Sequence, residues 1–222
     1  MLLTPEMIDM MLDSFIETLI MVGIAGVIGG AIGIPLGILL HVTSPQGILS
    51  AKVFNRTIGV LVNAVRSTPF IILLVAIQPL TRLIVGTSIG TSAALVPLTI
   101  AAAPMISRLV ESSLREVDKG LIEAALSMGA TSMQIIRKVL LPEALPGIIA
   151  GITIALVSLV GASAMAGAIG GGGLGQIAIT YGYQKYDDQI VWLCVALTIL
   201  IVQILQEFGM YIARRTDRRA HS

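Results

Sequence analysis

The chain has 222 residues, of which 55% are hydrophobic and only 12% charged, and its mean hydropathy is +0.93. Soluble domains carry about 25% charged residues, so this composition excludes an ordinary soluble domain and predicts an all-α polytopic membrane protein. The net charge of +1, with no basic face interleaved with aromatics, excludes a nucleic-acid partner, and the single cysteine, Cys194, excludes an internal disulfide or a cysteine metal cluster.

At the N-terminus Glu6, Asp9, Asp13 and Glu17 precede the first apolar run and no basic segment does, so a cleaved signal peptide is not expected. Crossing the hydrocarbon core takes about 20 residues, and the first charge-free run, between Glu17 and His41, predicts a span over residues 15–40. It contains Gly26-x-x-x-Gly30, Gly29-x-x-x-Gly33 and Gly33-x-x-x-Gly37, a spacing that lets helix backbones approach closely, and tight packing is the expected role. Residues 67–81 are too short to cross alone, so the second span is expected over 57–82, with Arg66 near one end. A charge at mid-membrane costs at least about 2.5 kcal/mol, so Arg66 either snorkels, pairs with the polar segment that follows the third span, or lines a polar path and contacts what passes along it. The third span is predicted over 84–108, with Pro97 and Pro104 inside it.

A polar segment over 111–145 then separates the apolar runs. Leu121, Ala125 and Met128 share one helical face, and Gly129 stands where a helix C-terminus favours a left-handed residue. Thr131-Ser132-Met133-Gln134 has the form of a capping box and opens a second short helix, which Pro142 and Pro146 are expected to end. This hairpin is either a well-capped linker or a surface that docks onto a partner.

The run from Ala144 to Gln184 predicts a fourth span over 146–169, then a Gly-rich bend and an outer loop. Within it, residues 161–169 are nearly all small around Met165, which is either a gate in a narrow path or ordinary packing. Gly170-Gly171-Gly172-Gly173-Leu174-Gly175 lacks a following Gly-Lys-Ser/Thr, so it is expected to be a bend and not a phosphate loop. Tyr181, Tyr183, Tyr186 and Trp192 suit an interfacial belt. The fifth span is predicted over 189–211, with Cys194 as a small buried hydrophobe. His41 and His221 have no partners at metal-ligand spacing, and no catalytic or metal constellation is expected.

Lysine and arginine concentrate on the cytoplasmic side of membrane proteins. With the C-terminal Arg214, Arg215, Arg218 and Arg219 inside and five crossings, the N-terminus lies outside. Of the 14 lysines and arginines, only Arg82 and Lys185 then fall outside. The same assignment puts the hairpin around Glu123 in the cytoplasm.

Glu123-Ala124-Ala125, three residues, Gly129, nine residues, Val139, one residue and Leu141-Pro142 resembles the cytoplasmic signature of ABC importer permeases, with Val139 in place of the usual Ile. The stretches Arg66 to Leu74, Val85 to Gly90, Met133 to Gly147 and Gly171 to Gln176 look like the methionine-uptake branch of that family. The resemblance covers almost the whole chain. It implies a type I importer permease fold, in which residues 1–222 form a single domain of five spans. It further implies that Glu123, Ala124, Ala125, Gly129, Val139, Leu141 and Pro142 form a coupling element fitting a groove on a separate ATP-hydrolysing subunit. The implied assembly is a homodimer with two such ATPase subunits, embedded in the lipid of a bacterial inner membrane. An extracytoplasmic methionine-binding protein would deliver methionine, with the L-enantiomer as the first expected cargo and the D-enantiomer as the second. ATP and magnesium would be used by the ATPase; no cofactor is implied for this chain, which has no Walker motif and is not expected to be an enzyme. Another amino acid, a small peptide or an organic anion is the alternative cargo.

Two other classes are disfavoured. A secondary transporter needs coupling-ion ligands and usually an internal repeat, and the sequence offers neither a repeat nor an evident buried acid. A membrane-embedded enzyme needs an intramembrane acid–base constellation, which is also missing.

Overall fold

The computed structural model describes residues 5–217; Arg218, Arg219 and His221 of the tail lie outside the described residues. The chain is helical, in the order α1 (Pro5–Val42), α2 (Lys52–Ser67), α3 (Phe70–Ala76), α4 (Gln78–Val85), α5 (Thr91–Arg115), α6 (Lys119–Ser127), α7 (Ser132–Ile135), a π-helical segment (Ile136–Leu140), α8 (Leu141–Ala168), α9 (Gly173–Ile177), a second π segment (Ala178–Tyr183) and α10 (Asp188–Thr216). Among the described residues four helical stretches are long and apolar enough to cross a membrane, or five if α2 and α3 count together as one broken span.

The bundle is organised around α1 and α5. Gly29, Gly33 and Gly37 recur every fourth residue and so lie along one stripe of α1. A methyl added at Gly29 would fall 2.5 Å from the Ala102 side chain, and one at Gly33 2.6 Å from the Ala103 carbonyl. At Gly37 it would collide with the Ser107 carbonyl. The glycines therefore set the distance between the two backbones, as small residues do where lipid supplies no hydrophobic drive for association. Gly30 faces open space and has no part in this contact. The prolines of α5, Pro97 and Pro104, sit inside a continuous helix, and Ser107 Oγ donates to the Pro104 carbonyl at 2.9 Å.

Four features depart from the sequence expectation. Helix α1 is already formed at Pro5, so the acidic residues Glu6 to Glu17 lie on the helix and not ahead of it. Proline suits a first helical turn, and carboxylates there complement the helix dipole. The second span is not one helix from Thr57. α2 ends at Ser67, and its axis is bent by 103° from α3. Pro69 imposes the break, because the residue before proline avoids helical angles; Thr68 is extended at φ −80°, ψ 124°.

Finally, Pro142 and Pro146 do not end the second helix of the hairpin: helix runs without a gap from Ser132 to Ala168. The π segment lies directly before Pro142, with Leu141 N–H donating to the Ile136 carbonyl five residues back. A ring at Pro142 would press on the carbonyl four residues earlier, and the wider π turn gives it room. The outer loop expected after the Gly-rich bend is instead largely helical, as α9 and the second π segment.

Candidate functional site

The hairpin between α5 and α8 is locally over-determined. Asp118 caps α6 by accepting from Gly120 N–H at 2.7 Å. The helix closes with a pair of reverse bonds, Gly129 N–H to the Leu126 carbonyl (2.9 Å) and Ala130 N–H to the Ala125 carbonyl (3.0 Å). That is the Schellman arrangement, and it needs the left-handed φ of +79° at Gly129. Thr131 then forms the expected capping box with Gln134: its N–H donates to Gln134 Oε1 at 2.8 Å, and its Oγ1 accepts from Gln134 N–H at 3.4 Å.

The side chains divide cleanly. Ala125 is 5% exposed and belongs to the core with Ile135 and Leu140, while Val139 and Leu141 pack partly against that core. Pro142 is half-buried; Glu123 and Ala124 are exposed. Leu121, Leu126, Met128 and Met133 also project outward, so the hairpin presents large apolar side chains beside small ones. Leu126 and Met133 were not singled out from the sequence, where nothing separates them from core residues of an amphipathic helix. Glu123 also borders a cavity of about 480 Å³ between the hairpin and the end of α1, together with His41, Arg115, Lys119 and Ile122.

A buried ionic cluster that the sequence did not disclose stands one layer deeper. Glu111 is 6% exposed, and Arg108 Nη1 and Arg115 Nη2 donate to its two oxygens, each at 2.6 Å. Arg108 also reaches α2, donating through Nη2 to the Gly59 carbonyl at 3.0 Å. Glu111 thus corrects the expectation that no acidic residue is buried. It lies just beyond the charge-free run that ends at Arg108, and only the helical face it occupies decides its burial. Arg66 borders the same cluster without joining it.

Toward the other end of α8, Met165 is 50% exposed, whereas Ala166 and Gly167 are buried against the Gly-rich turn. In that turn Gly170, Gly172 and Gly173 have φ of +90°, +83° and +72°. Its amides are already engaged: Gly173 N–H donates to Glu17 Oε2 at 2.6 Å, Leu174 N–H to Thr18 Oγ1 at 3.0 Å and Gly172 N–H to Gln176 Oε1 at 2.9 Å. A phosphate has nothing to bind there, and the turn serves to fasten α9 onto α1. Next to it lies an acidic cavity of about 700 Å³ bordered by Glu6, Asp9, Asp13 and Glu17. Among the described residues no group of His, Cys, Asp and Glu is arranged to hold a metal ion. Tyr183, Tyr186 and Trp192 are exposed, and Lys185 Nζ lies 4.0 Å above the centre of the Tyr181 ring.

Comparison with known proteins bears on this arrangement. The profile of a family described as binding-protein-dependent transport system inner membrane component matches residues 33–219. A probable D-methionine transport system permease protein of Vibrio cholerae is 57% identical over 182 residues, 82% of this chain and 81% of its own length. The methionine import system permease protein of Bacillus subtilis is 45% identical over 82% of both chains. A solved inward-facing structure of a methionine ABC transporter superposes with a TM-score of 0.94 at 50% identity, over 97% of this chain and 100% of that one. A chain from the crystal structure of an amino acid ABC transporter superposes with a TM-score of 0.79 at 21% identity over 95% of both, a likeness of fold alone.

Proposed function

The chain belongs to the family of binding-protein-dependent transport system inner membrane components, and from that premise we propose that it is the membrane-spanning subunit of an ATP-driven methionine importer. Two copies form the permease, and each presents its hairpin on the cytoplasmic side to one ATPase subunit. A binding protein delivers methionine, as either enantiomer, at the opposite face, beside the Gly-rich turn. In this reading the C-terminus lies in the cytoplasm and the N-terminus outside, in the bacterial inner membrane.

The observation that carries the proposal is the covalent continuity of the hairpin with a span. Glu123 and Ala124 offer an exposed surface, Gly129 and the Thr131 cap fix its shape, and α7 continues through the π segment into α8. Closure of the ATPase subunits on ATP would displace α6, and the displacement would pass along one helix to the small-residue segment around Met165. Met165 is placed as a gate: a flexible side chain among small neighbours, with Gly161 facing open space, can swing without displacing other side chains. Val139, Leu141 and Pro142 act as the seat of the hairpin on the bundle.

Uptake of radiolabelled L-methionine in cells lacking and then regaining this chain tests the proposal, with unlabelled D-methionine and other amino acids as competitors. Restored uptake that only methionine-like compounds block is the expected result. If uptake stays absent while the purified chain still brings an ATPase with it, methionine is the wrong cargo and the architecture stands. If no ATPase accompanies the chain, the coupling role of the hairpin is lost as well.

A further inference from the structure

A cavity of about 370 Å³ lies between α2 and the last turns of α5, bordered by Arg66, Arg108, Glu111, Ser112 and Arg115. Three arginines and one carboxylate therefore border one cavity, and the carboxylate is shared between two of them: Arg108 holds one oxygen and Arg115 the other. Arg66 is left over. Its guanidinium makes no hydrogen bond or ion pair among the described residues. The Nε–H of Arg108 is buried and has no hydrogen-bond partner, although both other nitrogens of that side chain are in use. Buried donors are rarely left unmet, and an arginine cluster in net positive excess is a place that an anion completes.

We propose that this cavity is a binding site for a phosphate oxyanion. The Arg66 fork, the Ser112 hydroxyl and the remaining N–H groups of Arg115 give donors from several directions. A tetrahedral group with several acceptor oxygens uses such a set better than a planar carboxylate does. An amino-acid zwitterion suits it poorly, because its ammonium group would lie in a cavity bordered by three arginines and a single carboxylate. The proposal does not depend on the cargo being methionine.

The phosphate has two sources, a phospholipid head group of the cytoplasmic leaflet or free phosphate in the cytoplasm. α2 favours the lipid. It carries Lys52, Arg56 and Arg66 near one face and exposes Val53, Phe54, Val60 and Leu61 elsewhere, the pattern of a helix lying at a membrane surface. Its axis is turned 103° from α3.

The full-length permease, purified with its ATPase subunits in detergent, is examined by native mass spectrometry with phosphatidylglycerol or phosphatidylcholine. In parallel its thermal unfolding is followed in sodium phosphate against sodium chloride at matched ionic strength. The informative variant is Arg66→Gln, which breaks no ion pair and should unfold at the parental temperature when neither ligand is present. The parent is expected to retain phosphatidylglycerol, and Arg66→Gln to bind it roughly tenfold more weakly, the loss of one charge-assisted contact. A parent stabilised by phosphate and indifferent to lipid, again with a roughly tenfold loss in the variant, assigns the site to free phosphate. Should Arg66→Gln fail to accumulate, Ser112→Ala, which also breaks no contact, reads the same binding. Equal binding by parent and variant in both arms overturns the proposal.

Discussion

At Gly129 a single backbone angle decides the shape of the hairpin proposed to couple to the ATPase. Its φ of +79° is open to glycine, whereas a β-branched residue there would be held about 1–2 kcal/mol above its preferred conformation. There is room for a side chain, since a Cβ would meet nothing within 4 Å, so the penalty is conformational and not steric crowding. Gly129→Val is expected to leave membrane insertion intact and to separate ATP hydrolysis, which persists, from uptake, which falls. Parallel assays of phosphate release and methionine uptake in proteoliposomes check this, and uptake at the parental rate would remove the hairpin from the coupling role. Gly129 and the Thr131–Gln134 box were legible in the sequence because each is a local pattern completed within a few residues. Glu111 was not, because its burial depends on which side of α5 meets α1 and α2, and Leu126 and Met133 were missed for the same reason.

At the level of elements, the α1–α5 contact rests on close backbone approach. Gly33→Leu should push the helices apart and sharply reduce the amount of protein in the membrane, whereas Gly30→Ala, where nothing lies within 4 Å, should be tolerated. Immunoblots of membrane fractions separate the two, and equal loss in both variants would mean that the glycine stripe does not set the packing. The sequence revealed which helix used its glycines for packing but not which of those glycines face the neighbour. It also revealed both broken elements only in part. Span-length arithmetic argued for an unbroken helix over 57–82 and gave no weight to Pro69, so the arithmetic was misleading. Pro142 and Pro146 looked like stops, but a π turn, which has no propensity signature of its own, accommodates Pro142, and Pro146 sits inside the continuing helix.

For the whole molecule, the asymmetric placement of lysine and arginine makes the orientation testable. With Cys194 replaced by alanine, a cysteine introduced at exposed Thr87 should react with a membrane-impermeant maleimide in intact spheroplasts. One at exposed Ser127 should react only in inverted vesicles. The reverse pattern would invert the topology and place the hairpin out of reach of ATP. The helical stretch from Ser132 to Ala168 has a further consequence, for timing. Its 37 residues make a rod of about 55 Å with a soft joint, the π segment, at the end next to the hairpin. Because the joint sits beside the hairpin, nearly all of the rod lies beyond it and turns as one piece. The far end then cannot lag behind the near end once the joint has transmitted its load. If the hairpin couples as proposed, slippage between fuel consumption and cargo movement would arise within residues 136–140.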